Sequence, residues 1–90
     1  MSAPAAPRKA TKLSYKDERR AAELDALMPK LQADIAALEA RLGQDGAFER
    51  DPTAFQKTAA QLEAARATLE ASEAEWLEIE LKRESLAAEA

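Results

Sequence analysis

Cysteine, histidine and valine are all absent from this 90-residue sequence, and glycine occurs only twice. Without cysteine and histidine there can be no disulfide bond, no thiolate nucleophile and none of the commonest zinc ligands. Two glycines do not supply the G-x-x-x-x-G-K-S/T loop that holds nucleotide phosphates. We therefore expect no catalytic site, no metal site and no cofactor in this chain.

Long apolar runs are missing as well. No stretch approaches the roughly 18 consecutive apolar residues of a membrane span, and residues 1–10 have no apolar segment of the signal-peptide type. These absences, together with the lack of cysteine, predict a soluble, cytoplasmic protein with no membrane partner.

Aromatic residues are also few, at 4% of the sequence. Strands favour β-branched and aromatic side chains, whereas the alanine, leucine, glutamate, lysine, arginine and glutamine that dominate here favour helices. The composition predicts an all-α fold. At 90 residues a compact core is marginal, so the length favours an elongated domain.

Prolines and small residues divide the chain. Residues 1–12 contain Pro4 and Pro7 and predict a disordered basic linker, while residues 13–88 form the folded domain. Ser14 is a good N-cap, so the first helix should span about 15–42, with a kink or a local 3₁₀ turn near Pro29.

The two glycines mark the end of that helix. Gly43 and Gly46 favour termination, and Asp51 followed by Pro52 favours a new helix, which should span about 52–87. The connector of about eight to nine residues is too short to run back along a helix of ~30 Å. The sequence therefore predicts an antiparallel two-stranded coiled coil, an α-helical hairpin, which we expect to be monomeric.

Both predicted helices carry an apolar heptad. Its core positions are Ala21, Leu24, Met28, Leu31, Ile35, Leu38 and Leu42 in the first helix and Phe55, Thr58, Leu62, Ala65, Leu69, Ser72, Trp76, Ile79 and Leu86 in the second, where Arg83 also falls on the repeat. A register in which paired residue numbers sum to 97 would place Trp76 opposite Ala21 and Phe55 opposite Leu42. The alternative is one long helix that dimerises in parallel, against which the break between Gly43 and Pro52 argues.

The charges are distributed unevenly along the chain. Residues 1–20 hold six basic and two acidic side chains, for a net charge of +4, and the other residues hold seven basic and fifteen acidic ones, for −8. A basic arm on an acidic body would direct a polyanion to one end. The candidate nucleic-acid-binding residues are Arg8, Lys9, Lys12, Lys16, Arg19 and Arg20.

The sequence resembles the C-terminal domain of the Uup-type ABC-F ATPases over about residues 12–86. The segments that carry the resemblance are Lys12-Leu13-Ser14-Tyr15-Lys16, Leu24-Asp25-Ala26-Leu27-Met28-Pro29, Asp51-Pro52-Thr53-Ala54-Phe55 and Glu75-Trp76-Leu77-Glu78-Ile79-Glu80. The resemblance implies a coiled-coil hairpin associated with DNA binding, attached to two ATP-binding cassettes that use ATP and magnesium and often act on the ribosome. Because those cassettes are absent here, this chain is not expected to be an enzyme, although its parent is expected to be an ATPase.

The function that we expect is nucleic-acid binding, to DNA or ribosomal RNA, through the basic arm. The alternative is a protein-interaction or spacer hairpin that docks on the parent's cassettes or on the ribosome. Tyr15 is expected to pack near Ile79 and Arg83, and Phe48 beside Leu42 and Phe55. Leu77 and Leu81 lie outside the heptad face and are candidates for docking.

Overall fold

Two long helices form most of the molecule. The computed structural model describes residues 12–89, in which α1 spans Tyr15–Leu42, a short α2 spans Ala47–Arg50 and α3 spans Pro52–Glu89. Residues 12–89 contain no strand. α1 and α3 pack against each other in opposite directions, which confirms the all-α helical hairpin. The predicted disordered linker falls outside the described residues except for Lys12.

The ends of α1 follow from its terminal residues. Ser14 is the N-cap, and its hydroxyl accepts a hydrogen bond from the Asp17 N–H at 3.2 Å. At the other end the Gly43 N–H donates to the Glu39 carbonyl at 2.9 Å. The helix is α-helical throughout and includes Pro29, so the 3₁₀ turn considered for that position does not form; the kink stays a prediction.

The connector between the long helices, residues 43–51, forms the tip of the hairpin. Gly46 adopts a left-handed conformation with φ of 72°, which glycine tolerates without steric cost. It precedes α2, a single turn that the sequence did not predict. The Phe48 ring packs edge-to-face on Phe55, with 5.4 Å between ring centroids. The Asp51 carboxylate then caps α3 by accepting from the Ala54 N–H at 3.0 Å.

The seam between α1 and α3 is the one that the heptads predict. Every assigned heptad position in both helices is buried or half-buried. Leu24 is completely buried, in a cluster with Leu13, Ala21 and Ile79. Among residues 12–89, no helix is long and apolar enough to cross a membrane.

The axial register differs from the predicted one by three residues. On one side of the seam Arg20 contacts Glu75, a pair whose numbers sum to 95, and on the other side Glu39 contacts Arg66, a pair that sums to 105. The two sums deviate equally and in opposite directions because the pairs lie on opposite sides of the seam. Residues that face each other directly within the seam therefore have numbers that sum to 100. Leu24 then lies opposite Trp76, and the predicted pairing of Trp76 with Ala21 is wrong.

The open end of the hairpin, where α1 begins and α3 ends, is closed by Leu13. This side chain is only 6% exposed and belongs to the buried cluster, whereas Tyr15 is 79% exposed. The prediction that Tyr15 packs into the hairpin is therefore wrong. The backbone of the N-cap Ser14 is extended, and Leu13, the residue before it, covers the core in place of Tyr15.

Candidate nucleic-acid interface

The structure gathers part of the predicted basic site at the open end. Lys12 directly precedes the buried Leu13, and Lys16, Arg19 and Arg20 lie in the first two turns of α1. Arg8 and Lys9 lie outside the described residues. Within residues 12–89, Lys12 and Lys16 form no ion pair, and Arg19 makes only a long contact with Glu23, at 3.7 Å between Nε and Oε2.

Arg20 differs from the other three because it is already bound. Its guanidinium donates two hydrogen bonds to the Glu75 carboxylate, from Nε to Oε2 at 2.6 Å and from Nη2 to Oε1 at 2.9 Å. Its third nitrogen, Nη1, donates to Glu23 Oε1 at 3.1 Å. The hydrogen bonds that Arg20 donates to Glu75, and then the one to Glu23, raise the pKa of Arg20 above its ordinary value. Arg20 therefore joins α1 to α3, and a phosphate would have to displace a bidentate carboxylate to reach it.

The two acidic residues of the basic segment are neutralised by cations from α3. Lys82 donates to Asp17 Oδ2 at 2.8 Å, and Arg83 Nη1 lies 3.2 Å from Glu18 Oε2. The hydrogen bond from Lys82 is the main reason why the pKa of Asp17 is lowered. Asp17 and Glu18 are thus occupied by α3, and they do not hold the neighbouring Lys16.

A shallow groove between the helices lies beside these cations. It has a volume of about 510 Å³. Its lining residues, which carry both signs of charge, are Tyr15, Lys16, Asp17, Arg19, Arg20, Glu23, Glu75, Glu78, Ile79 and Lys82. The exposed Tyr15 ring next to Lys16 could stack on a base while the lysine contacts a phosphate. Glu75 and Glu78 form the opposite wall, so a polyanion would approach from the α1 side.

The pairing of Arg20 with Glu75 predicts a pH-dependent contribution to stability. Hydrogen bonds from Arg20 lower the folded-state pKa of Glu75 below its ordinary value of 4.5, which the unfolded chain retains. A lowered folded-state pKa means that the unfolded state takes up the proton first. The contribution is therefore complete above about pH 4.5 and is lost as the pH falls through the folded-state pKa.

We expect Glu75→Gln to remove this part of the acid response. Its thermal unfolding midpoint should fall less between about pH 7 and pH 3 than that of the unaltered chain, in scans followed by circular dichroism. Glu78→Gln is the matched control, because Glu78 forms no ion pair within residues 12–89 and should leave the response unchanged. Equal acid responses in all three proteins would contradict the prediction.

The described residues offer no metal centre. Residues 12–89 contain no group of three or more acidic side chains placed to hold a metal ion. They form two antiparallel helices with exposed cations at the open end.

The class of this module is given by its sequence relatives. Residues 12–81 match the ABC transporter C-terminal domain family, and the chain belongs to that family. The chain is also similar to the ATP-binding protein Uup of Caulobacter vibrioides, with 54% identity over 86 residues. The match covers 96% of this chain but only 14% of that relative. The resemblance to Uup-type proteins drawn from the sequence is thereby confirmed, and no solved structure matches the chain.

Proposed function

We propose that this chain is the nucleic-acid-binding C-terminal domain of a soluble, cytoplasmic ABC-F ATPase. The observation that carries the proposal is that two lysines at the open end are exposed and unpaired within residues 12–89. Lys12 and Lys16 are exposed and have no ion-pair partner within residues 12–89, while Asp17 and Glu18 are occupied by Lys82 and Arg83. Positive charge is thus left available at one end of an otherwise acidic molecule.

The parent would supply the chemistry that this chain lacks. The relative that it matches is named as an ATP-binding protein, and this chain corresponds to a small part of it. In our proposal the ATP and magnesium sites lie in the parent's cassettes, and the hairpin is a binding element attached to them.

The contact is electrostatic and is led by phosphates. Lys16 and Arg19 lie three residues apart and therefore share a face of α1, with Lys12 just ahead of them. Arg8 and Lys9 would add to the contact from the arm. Counterion release supplies most of the affinity in such a contact, which reads no base sequence. DNA and ribosomal RNA are both suitable targets on these grounds.

Gel-shift titrations of duplex DNA and of structured RNA test the proposal. With three to five phosphate contacts, affinity should fall about 40- to 500-fold between 50 and 200 mM salt. Lys12→Ala with Lys16→Ala should abolish most of the shift and lower the salt slope by about two. Arg20 is left unchanged because its replacement would also break the contact with Glu75.

The matched control is Lys30→Ala with Lys57→Ala. These two lysines are exposed, form no ion pair within residues 12–89 and lie away from the open end, so the net charge changes equally. This variant should bind nearly as well as the unaltered chain. Absence of binding at low salt, or equal losses in both double variants, would overturn the proposal.

A second function, protein docking, is favoured by a different observation. Leu77 and Leu81 are 52% and 55% exposed on the outer face of α3, where the seam does not use them. In this second proposal the hairpin docks through that face on the parent's cassettes or on ribosomal protein. The engagement of Arg20 by Glu75 also favours it, because one candidate cation is withdrawn from the nucleic-acid contact.

A further inference from the structure

The second groove of the hairpin lies on the side of the seam opposite to the basic site. Its volume is about 490 Å³. The residues that line it come from the middle of α1 and the facing part of α3, and they are Asp25, Met28, Pro29, Gln32, Glu73, Trp76 and Leu77. Its floor is apolar, made by Met28 and Trp76, which are only half-buried. The apolar surface continues along α3 to Leu81, one turn beyond Leu77.

Trp76 is held in place at the rim of this groove. Its indole N–H donates to Asp25 Oδ1 at 3.0 Å across the two helices. The polar edge of the ring is therefore satisfied within the hairpin, and the remaining ring surface can bury against a partner without leaving an unpaired donor. Large, rigid aromatic side chains of this kind are typical anchors of protein interfaces.

The charged side chains that surround Leu77 on this apolar surface are all acidic. The helix neighbours of Leu77, at spacings of three, four and seven residues, are Glu70, Glu73, Ala74, Glu80, Leu81 and Glu84. Of the four glutamates, only Glu80 has a cation partner within residues 12–89, Arg83 at 3.4 Å. Glu70, Glu73 and Glu84 keep their charge available, so this face is apolar in the centre and acidic at the edge.

This charge decides among the possible occupants. A second copy of the chain would place these glutamates against themselves, and nucleic acid or an anionic membrane would be repelled. The chain's own residues 1–11 are basic, but their apolar side chains beyond Met1 are alanines and prolines, which bury little surface on a tryptophan. A basic amphipathic helix with leucine-sized side chains fits both features.

We propose that the groove of Met28, Trp76 and Leu77, extended by Leu81, binds a basic amphipathic helix of a partner protein. This inference rests on the docking function proposed above and specifies the partner's chemistry and position. The partner helix lies along the hairpin as a third strand. Its apolar stripe covers Trp76 and the two leucines, and its lysines or arginines pair with Glu70, Glu73 and Glu84.

Trp76 is the single tryptophan of the chain, so its fluorescence reports on this groove directly. The probe is a synthetic peptide of about four helical turns, with leucines along one face and lysines elsewhere. We expect saturable binding with a blue shift of the Trp76 emission. A peptide of the same composition in scrambled order, and one with glutamates in place of the lysines, should bind at least about tenfold more weakly.

Two variants locate the contact. Leu77→Ala with Leu81→Ala should weaken peptide binding about tenfold, because leucines that become buried in the complex are truncated. Both leucines are exposed in the free hairpin, so the fold should be retained, which circular dichroism can verify. Lys12→Ala with Lys16→Ala should leave peptide binding unchanged.

The outcomes separate this inference from the other proposals. Equal binding of the scrambled peptide, or unchanged binding by the Leu77 and Leu81 double variant, overturns it. Tighter binding of a synthetic peptide that copies residues 1–11 assigns the groove to the chain's own arm and also overturns it. A failed gel shift removes the nucleic-acid function and leaves the peptide result standing.

Discussion

Replacing Leu24 by alanine should destabilise the hairpin by about 2–5 kcal/mol, the range found for buried leucines. Leu24 is the one large side chain among residues 12–89 that is completely buried, at 0% exposure, and it packs in the cluster of Leu13, Ala21 and Ile79. Helices on both sides fix the cavity that the change leaves behind, so little of it can collapse. Small domains are stable by only about 5–15 kcal/mol, so a loss of this size should markedly increase the unfolded fraction.

Urea unfolding followed by far-ultraviolet circular dichroism measures this loss. Leu77→Ala is the matched control, because it is the same substitution within a helix but at an exposed position, and it should change the free energy of unfolding by no more than about 0.5 kcal/mol. If the two variants lost equal stability, the seam would not run where the structure places it.

Replacing Leu13 by alanine should cost about 2–4 kcal/mol, although this residue lies outside both long helices. Its side chain closes the buried cluster at the open end. The cost should be nearer the lower end of the range, because a site at the end of the seam can relax or admit water. Because Lys12 directly precedes Leu13, the same change should also weaken the proposed nucleic-acid contact.

Tyr15→Ala is the control for this experiment, two residues away in the sequence. The tyrosine ring is largely exposed, so its removal should change the free energy of unfolding by no more than about 0.5 kcal/mol. Denaturant titrations of both variants give the comparison. A larger loss from Tyr15→Ala than from Leu13→Ala would restore the original expectation that the tyrosine packs into the hairpin.

The main features of the fold could be predicted from local signals. Ser14, Gly43, Asp51 and Pro52 each act on the backbone within a few residues, and the helix boundaries follow from them. The heptads identify which face of each helix is buried, because a face depends only on spacing along one helix. The single turn of α2 escaped prediction, since residues 47–50 have no apolar periodicity to indicate it.

The axial register was harder to predict because spacing within each helix does not set the offset between helices. A shift of three residues moves the pairing from one heptad position to the next and still buries the same side chains. The offset depends on the connector and on flanking pairs such as Arg20 with Glu75 and Glu39 with Arg66. Opposite charges at matching flanking positions would have been the signal to use.

The same limitation applies to the basic site. Sequence alone identifies where positive charge accumulates, but it does not say which cations are already paired across the hairpin. Arg20 proved to be held by Glu75, which is 55 residues away. Lys12 and Lys16 kept their availability because Lys82 and Arg83 take up the nearby acids. Such long-range pairing becomes visible only when the register is known.

The antiparallel arrangement brings Lys12 and Glu89 to the same end of the molecule and leaves residues 43–51 at the other. With 28 residues in α1, the distance between the two ends is about 42 Å. If the open end were held by a partner, a rotation of about 10° there would move residues 43–51 by about 7 Å. The length of the two helices would thus convert a small rotation at the open end into a larger displacement of the connector.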